Sequence, residues 1–145
     1  MVLENPQKRL IISILDYQES GARNEDERNV LLTSIELSHD GRSSIATVPI
    51  ISTYELSALA DWFEAVANYT KPKPVVLQEP CLFFDCEQST DRAFQVLVRM
   101  EAEASPSWTA YRAEPFSIEF WLSHEQMIGA AQSLRRLHEK FPTQS

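Results

Sequence analysis

The chain has 145 residues, 43% of them hydrophobic, which is enough to bury a real core and too apolar for wholesale disorder. Thirteen Lys and Arg against 21 Asp and Glu give a formal net charge of −8, a surface that phosphate backbones repel and a basic protein suits. No apolar run approaches the ~18 residues of a membrane-spanning helix, and the opening MVLENPQKRL lacks a secretory layout, so the expectation is one cytoplasmic domain over residues 1–145 with no membrane or nucleic-acid contact.

The first predicted strand is Lys8–Tyr17, where Leu10, Ile12 and Ile14 point one way and Ile11 and Leu15 the other, so that both faces read as buried. Gln18–Glu27 follows as a polar, acidic loop without periodicity. Arg28–Ser38 and Ser43–Ile51 then read as a hairpin, because Asp40-Gly41 suits the positive φ angles of a tight reversal. Pro49 cannot donate to a ladder, so the second of these strands is expected to lie at a sheet edge or to end there.

A helix is predicted over 53–68. Ser52 and Glu55 form a capping box at its start, with Ile51 and Leu56 as the hydrophobic staple. Leu56, Leu59, Ala60, Phe63, Val66 and Ala67 make its core stripe, widened by Trp62 and Tyr69. Lys71-Pro72-Lys73-Pro74 ends it. Strands are expected at Val75–Glu79, Leu82–Gln88 and Arg92–Ala104, and Pro106, Trp108 and Tyr111 mark a loop pinned to the core by its aromatics.

Phe116–Leu122 alternates apolar and polar residues as a final strand, and turns directly into a second helix. Ser123 with Gln126 is again a capping box, and Leu122 with Met127 a staple. Met127, Ala130, Ala131, Leu134, Leu137, His138 and Phe141 line its buried stripe. Gly129 inside it suggests close packing, while Arg135, Arg136 and Lys140 suit the negative end of the helix dipole. The order is βββα–ββββα, an α+β fold of mainly antiparallel sheet with two helices. The two strand-to-helix joints form an internal pseudo-repeat, although identity between the halves is too slight to establish duplication.

Catalytic equipment is sparse. His39, His124 and His138 share no helical metal spacing and none adjoins a cysteine. Cys81 and Cys86 would lie on opposite faces of one strand, which suits neither a disulfide nor a shared metal. Three glycines in all leave no phosphate-cradling loop. Acid pairs at Asp85/Glu87 and Glu101/Glu103 fit a solvated strand face better than an acid–base site. The chain therefore reads as no enzyme, without metal or cofactor.

If Leu82, Phe84 and Cys86 face the core, then Phe83, Asp85, Glu87, Leu97, Arg99, Glu101, Glu119 and Trp121 face away. Aromatic and aliphatic anchors among carboxylates have the makeup of a protein-binding surface. The competing expectation is that another part of the chain covers Phe83, Leu97 and Trp121.

Four segments carry a resemblance: Tyr54–Trp62 (YELSALADW), Glu79–Phe84 (EPCLFF), Glu103–Trp108 (EASPSW), and Leu122–Gln126 (LSHEQ) running through Ala130-Ala131 and Leu134 to Phe141-Pro142. Together they resemble the WapI-type immunity family over about Arg28 to Pro142. The resemblance implies a cytoplasmic bacterial protein that neutralises the C-terminal toxin domain of a cell-wall-associated, contact-dependent toxin. The matched residues are caps, helix stripes and a loop tryptophan, so no active residue carries over. The alternative from another class is a non-catalytic binding or assembly module, such as a homodimer using the same outer face.

Overall fold

The structure, a computed structural model, describes residues 1–109 and 115–145. Its strands are β1 (Val2–Asn5), β2 (Lys8–Tyr17), β3 (Val30–His39), β4 (Arg42–Ser52), β5 (Val75–Val76), β6 (Leu82–Ser89), β7 (Phe94–Met100) and β8 (Phe116–Leu122). Its helices are α1 (Glu25–Arg28), α2 (Thr53–Ala67) and α3 (His124–Lys140). The strands form two antiparallel sheets, ordered β1-β2-β3-β4 and β5-β6-β7-β8. The α+β reading holds, and each half is a four-stranded meander that ends in a capped helix.

Strand β1 is the element that sequence patterning missed. Four residues are too few to show alternation, and Pro6 follows at once. What makes the strand is its partner: Asn5 pairs with Lys8 across a two-residue reversal, with Gln7 at φ 64°. The β3–β4 turn is the one expected, with Asp40 at φ 49° and Gly41 at φ 81° between paired His39 and Arg42. Both central residues have positive φ, as a primed hairpin turn requires. Strand β4 is outermost in its sheet, which accommodates Pro49.

Several boundaries and faces differ from expectation. On β2 only one face is buried: Leu10, Ile12 and Ile14 are covered, whereas Ile11 is half-buried and Leu15 is 54% exposed. The predicted acidic loop contains α1, whose start is fixed by the Asn24 side chain accepting from the Asp26 and Glu27 amides. Strand β5 keeps only Val75 and Val76 of the predicted Val75–Glu79. Strand β7 is shorter than Arg92–Ala104 because Thr90 turns the chain at one end, its hydroxyl accepting from the Ala93 amide, and a 3-10 turn at Ala102–Ala104 ends it at the other. Trp108 packs edge-on against Phe116, as a pinning aromatic should. Tyr111 lies outside the described residues.

Both capping boxes form as read. The Ser52 hydroxyl accepts from the Glu55 amide at 3.2 Å and the Glu55 carboxylate from the Ser52 amide at 3.0 Å. The Ser123–Gln126 pair repeats this at 3.1 and 2.9 Å. The predicted α2 stripe is fully covered, with Trp62 and Phe63 meeting Phe84 of β6 at ring separations of 6.4 and 6.1 Å. Tyr69 lies beyond the helix at φ 61°, exposed but against Phe94. Met127, Ala130, Ala131 and Leu134 bury α3, while Leu137 and His138 are half-buried. These residues and the inner faces of both sheets form one continuous apolar cluster. Truncating Phe84 at its centre would cost about 3–5 kcal/mol.

Two residues of α3 depart from the sequence reading. Gly129 is exposed, and nothing lies within 4 Å of where its Cβ would stand, so it serves no close packing. Arg135 does not serve the helix end but crosses to α2, donating to Glu64 at 2.8 Å and Asp61 at 2.7 Å. The geometry is bidentate, yet the three side chains are 39–68% exposed, which limits the pair to about 1 kcal/mol.

Candidate partner-binding surface

Strands β6, β7 and β8 have Leu82, Phe84, Val96, Val98, Ile118 and Phe120 buried on one face, so the pleat turns the intervening residues outward. The register arranges these in rows. Phe83, Arg99 and Ser117 form the first; Asp85, Leu97 and Glu119 the second; Gln95 and Trp121 the third. The ladder between β6 and β7 shifts between Cys86 and Gln88, which leaves Glu87 as the extra residue of a bulge.

Trp121 is 43% exposed among the described residues, so its side chain is not sealed beneath them. Glu87 and Glu119 are exposed as well, and Phe83, Asp85, Leu97 and Glu101 are half-buried. All seven residues predicted for this face therefore retain solvent access. Trp121 is also held in place. The Asn5 side chain accepts from its amide at 2.8 Å and donates to its carbonyl at 2.7 Å, completing the β8 edge as a neighbouring strand would.

The charges are organised around the apolar residues. The Arg99 guanidinium lies 4.2 Å from the centre of the Phe83 ring, close enough for a cation–π contact. Its Nε is 3.1 Å from a Glu101 carboxylate oxygen, an electrostatic contact only, because that buried Nε is not aligned to donate a hydrogen bond. Glu119 accepts from the Gln95 amide group at 2.7 Å, and Lys8 donates to the Glu119 carbonyl at 2.9 Å. Partial burial, and then the neighbouring Glu119 and Asp85, push the Glu87 carboxyl above its ordinary value. Like charges thus flank Leu97 from both neighbouring strands.

Asn5, Lys8 and Gln95 belong to this surface but were absent from its sequence reading. Gln95 shares the parity of Leu97 and could have been included on that ground. Asn5 and Lys8 reach β8 across 116 and 111 residues, and no local pattern signals such contacts. The predicted pairing of Glu101 with Glu103 on one strand face fails, because the 3-10 turn begins at Ala102.

The remaining chemistry-bearing groups are dispersed. Cys81 is a buried free thiol ahead of β6, pushed up chiefly by its burial, and Cys86 is a half-buried one within the strand. His39 packs on Phe116, and His138 lies 3.4 Å from the Thr143 hydroxyl. Among the described residues, no three His, Cys, Asp or Glu side chains are grouped to hold a metal ion. None of the described helices is long and apolar enough to cross a membrane.

Among curated proteins and among solved structures none matches the chain significantly. The family described as Immunity protein WapI-like family matches residues 1–142, nearly the whole length, including the β1 strand that lay outside the motif resemblance. The chain belongs to the WapI-like immunity protein family.

Proposed function

We propose that this protein acts as a single cytoplasmic domain that binds the C-terminal toxin domain of a contact-dependent bacterial toxin and blocks it by occlusion, without catalysis, metal or cofactor. The family supports the immunity role. The observation that carries the choice of surface is Trp121, a partly exposed aromatic whose backbone is held by Asn5, on the sheet face it shares with Leu97 and the carboxylates of Asp85, Glu87 and Glu119. Buried aromatics dominate the energetics of protein interfaces, and surrounding charges govern encounter rate and partner choice.

The partner's complementary surface is basic. A cation placed over the three carboxylates would offset the repulsion that, after partial burial, raises the Glu87 proton affinity. The same crowding disfavours a homodimer through this face, since a second copy would bring identical carboxylates into opposition.

Co-expression tests the role. A toxin domain encoded beside this chain's gene should arrest growth alone and not when this chain is produced with it. Arrest that persists despite soluble, folded protein would contradict the proposal.

A further inference from the structure

A cleft of about 330 Å³ opens away from that sheet face, where three segments converge. Asp26 and Glu27 of α1 line one part of it, Pro49 and Tyr54 of the β4–α2 joint another, and Gln78 and Glu79 a third. The cleft's shape is built rather than incidental. Glu55 clips two of these segments together, accepting from the Ser52 amide at 3.0 Å and from the Gln78 amide at 2.7 Å.

The α1 wall is fixed independently through Asn29, which is fully buried. Its side-chain amide donates to the Glu25 and Gln144 carbonyls at 2.8 Å each, and its oxygen accepts from the Thr53 hydroxyl at 3.0 Å and the Gln144 amide at 2.7 Å. The Tyr54 hydroxyl donates to Glu25 at 3.2 Å, placing the phenol beside the α1 wall.

The lining chemistry selects one kind of occupant. Val30 and Pro49 give the accessible apolar lining, the rim is carboxylate, and no Lys, Arg or His is among the described lining residues. Asp26, Glu27 and Glu79 make no ion pair among the described residues. Partial burial, then the charge and hydrogen bond of Glu25 and the charge of Asp26, push the Tyr54 hydroxyl above its ordinary value against the opposing charge of Arg28. The volume sits at the lower end of small-ligand pockets, about 300–1,000 Å³, and suits one long side chain.

We propose that this cleft receives an arginine side chain of the protein partner, its stem on Pro49, its guanidinium between Asp26 and Glu79 and against Tyr54. Arginine fits better than lysine because its planar head stacks on an aromatic wall while donating to carboxylates on two sides. The partner that would supply it is the one proposed above. Affinity for the guanidinium, however, is a property of the isolated chain, so the two readings fail separately.

The test is a titration of the protein with N-acetylarginine amide, followed by backbone amide NMR, with the uncharged N-acetylcitrulline amide as control. Saturable shifts confined to the amides of Tyr54, Gln78 and Glu79 and their neighbours are expected. The response should weaken at least tenfold in the Asp26→Asn/Glu79→Gln double variant, several-fold in either single variant, and remain unchanged in Trp121→Ala. Both substituted side chains are exposed, and an unaltered spectrum outside the cleft certifies the fold. Shifts that do not saturate, that citrulline reproduces, or that the double variant retains would overturn the assignment.

Discussion

Replacing Glu55 by alanine removes two bonds of different kinds at once. One carboxylate oxygen completes the capping box at the Ser52 amide, and the other holds the Gln78 amide, 23 residues away. Ser52→Ala removes only the reciprocal half of the box, the 3.2 Å bond to the Glu55 amide. An N-cap hydroxyl contributes about 1 kcal/mol. Charge-assisted hydrogen bonds contribute about 1.5–3 kcal/mol each when buried, and these must be discounted because Glu55 and Ser52 are half-buried and Gln78 is exposed. The expected losses are therefore about 2 kcal/mol for Glu55→Ala and about 1 kcal/mol for Ser52→Ala. Glu55→Gln falls between them, since its amide oxygen can replace only one acceptor. Urea unfolding with a common m-value reads all three, and in a domain of this size about 2 kcal/mol lowers Tm by roughly 4–8 °C. Equal losses for Glu55→Ala and Ser52→Ala would refute the reasoning, because the link to Gln78 would then contribute nothing.

The other stability predictions are simpler. Gly129→Ala should raise stability by about 0.5–1 kcal/mol in thermal unfolding, because the helical position is exposed and open space awaits the methyl group. Ser123→Ala should lower it by about 1 kcal/mol by deleting the 3.1 Å cap bond, with calorimetry as the measure. The hydrogen bond from Arg135 holds the Glu64 carboxyl below its ordinary value, so the folded state binds that proton more weakly than the unfolded chain. Its stabilisation is complete above the ordinary carboxylate range and fades as pH falls through the folded value. Unfolding free energies of wild type and Arg135→Ala from urea titration should thus differ by about 1 kcal/mol at neutral pH and converge in strong acid.

Local signals made α2 and α3 legible. Each begins at a serine with an acceptor three residues on, and each carries an apolar stripe that the core then covers, so propensity, capping and packing agree. The outer sheet face was legible for the same reason: β6, β7 and β8 alternate cleanly, and alternation fixes facing without knowledge of partners. What escaped depends on distant pairing. Strand β1 exists through β2, Asn5 positions Trp121 from the opposite end of the chain, and Arg135 finds α2 rather than its own helix terminus. The cleft escaped entirely, since Asp26, Tyr54 and Glu79 read separately as loop, helix surface and strand end. Gly129 shows the reverse error, where a residue with an assumed packing role has none.

The central claim is tested most directly by association and dissociation rates with the product of a neighbouring gene that proves toxic in the co-expression test, for wild type, Trp121→Ala and Glu119→Lys/Glu101→Lys. Trp121→Ala should speed dissociation by about 30-fold, the equivalent of ~2 kcal/mol, and leave association nearly unchanged. The charge reversal should chiefly slow association and flatten its dependence on salt. All three proteins should unfold at similar temperatures, because the altered side chains retain solvent access. Rate constants indistinguishable from wild type in both variants would place the partner on some other surface and contradict the account.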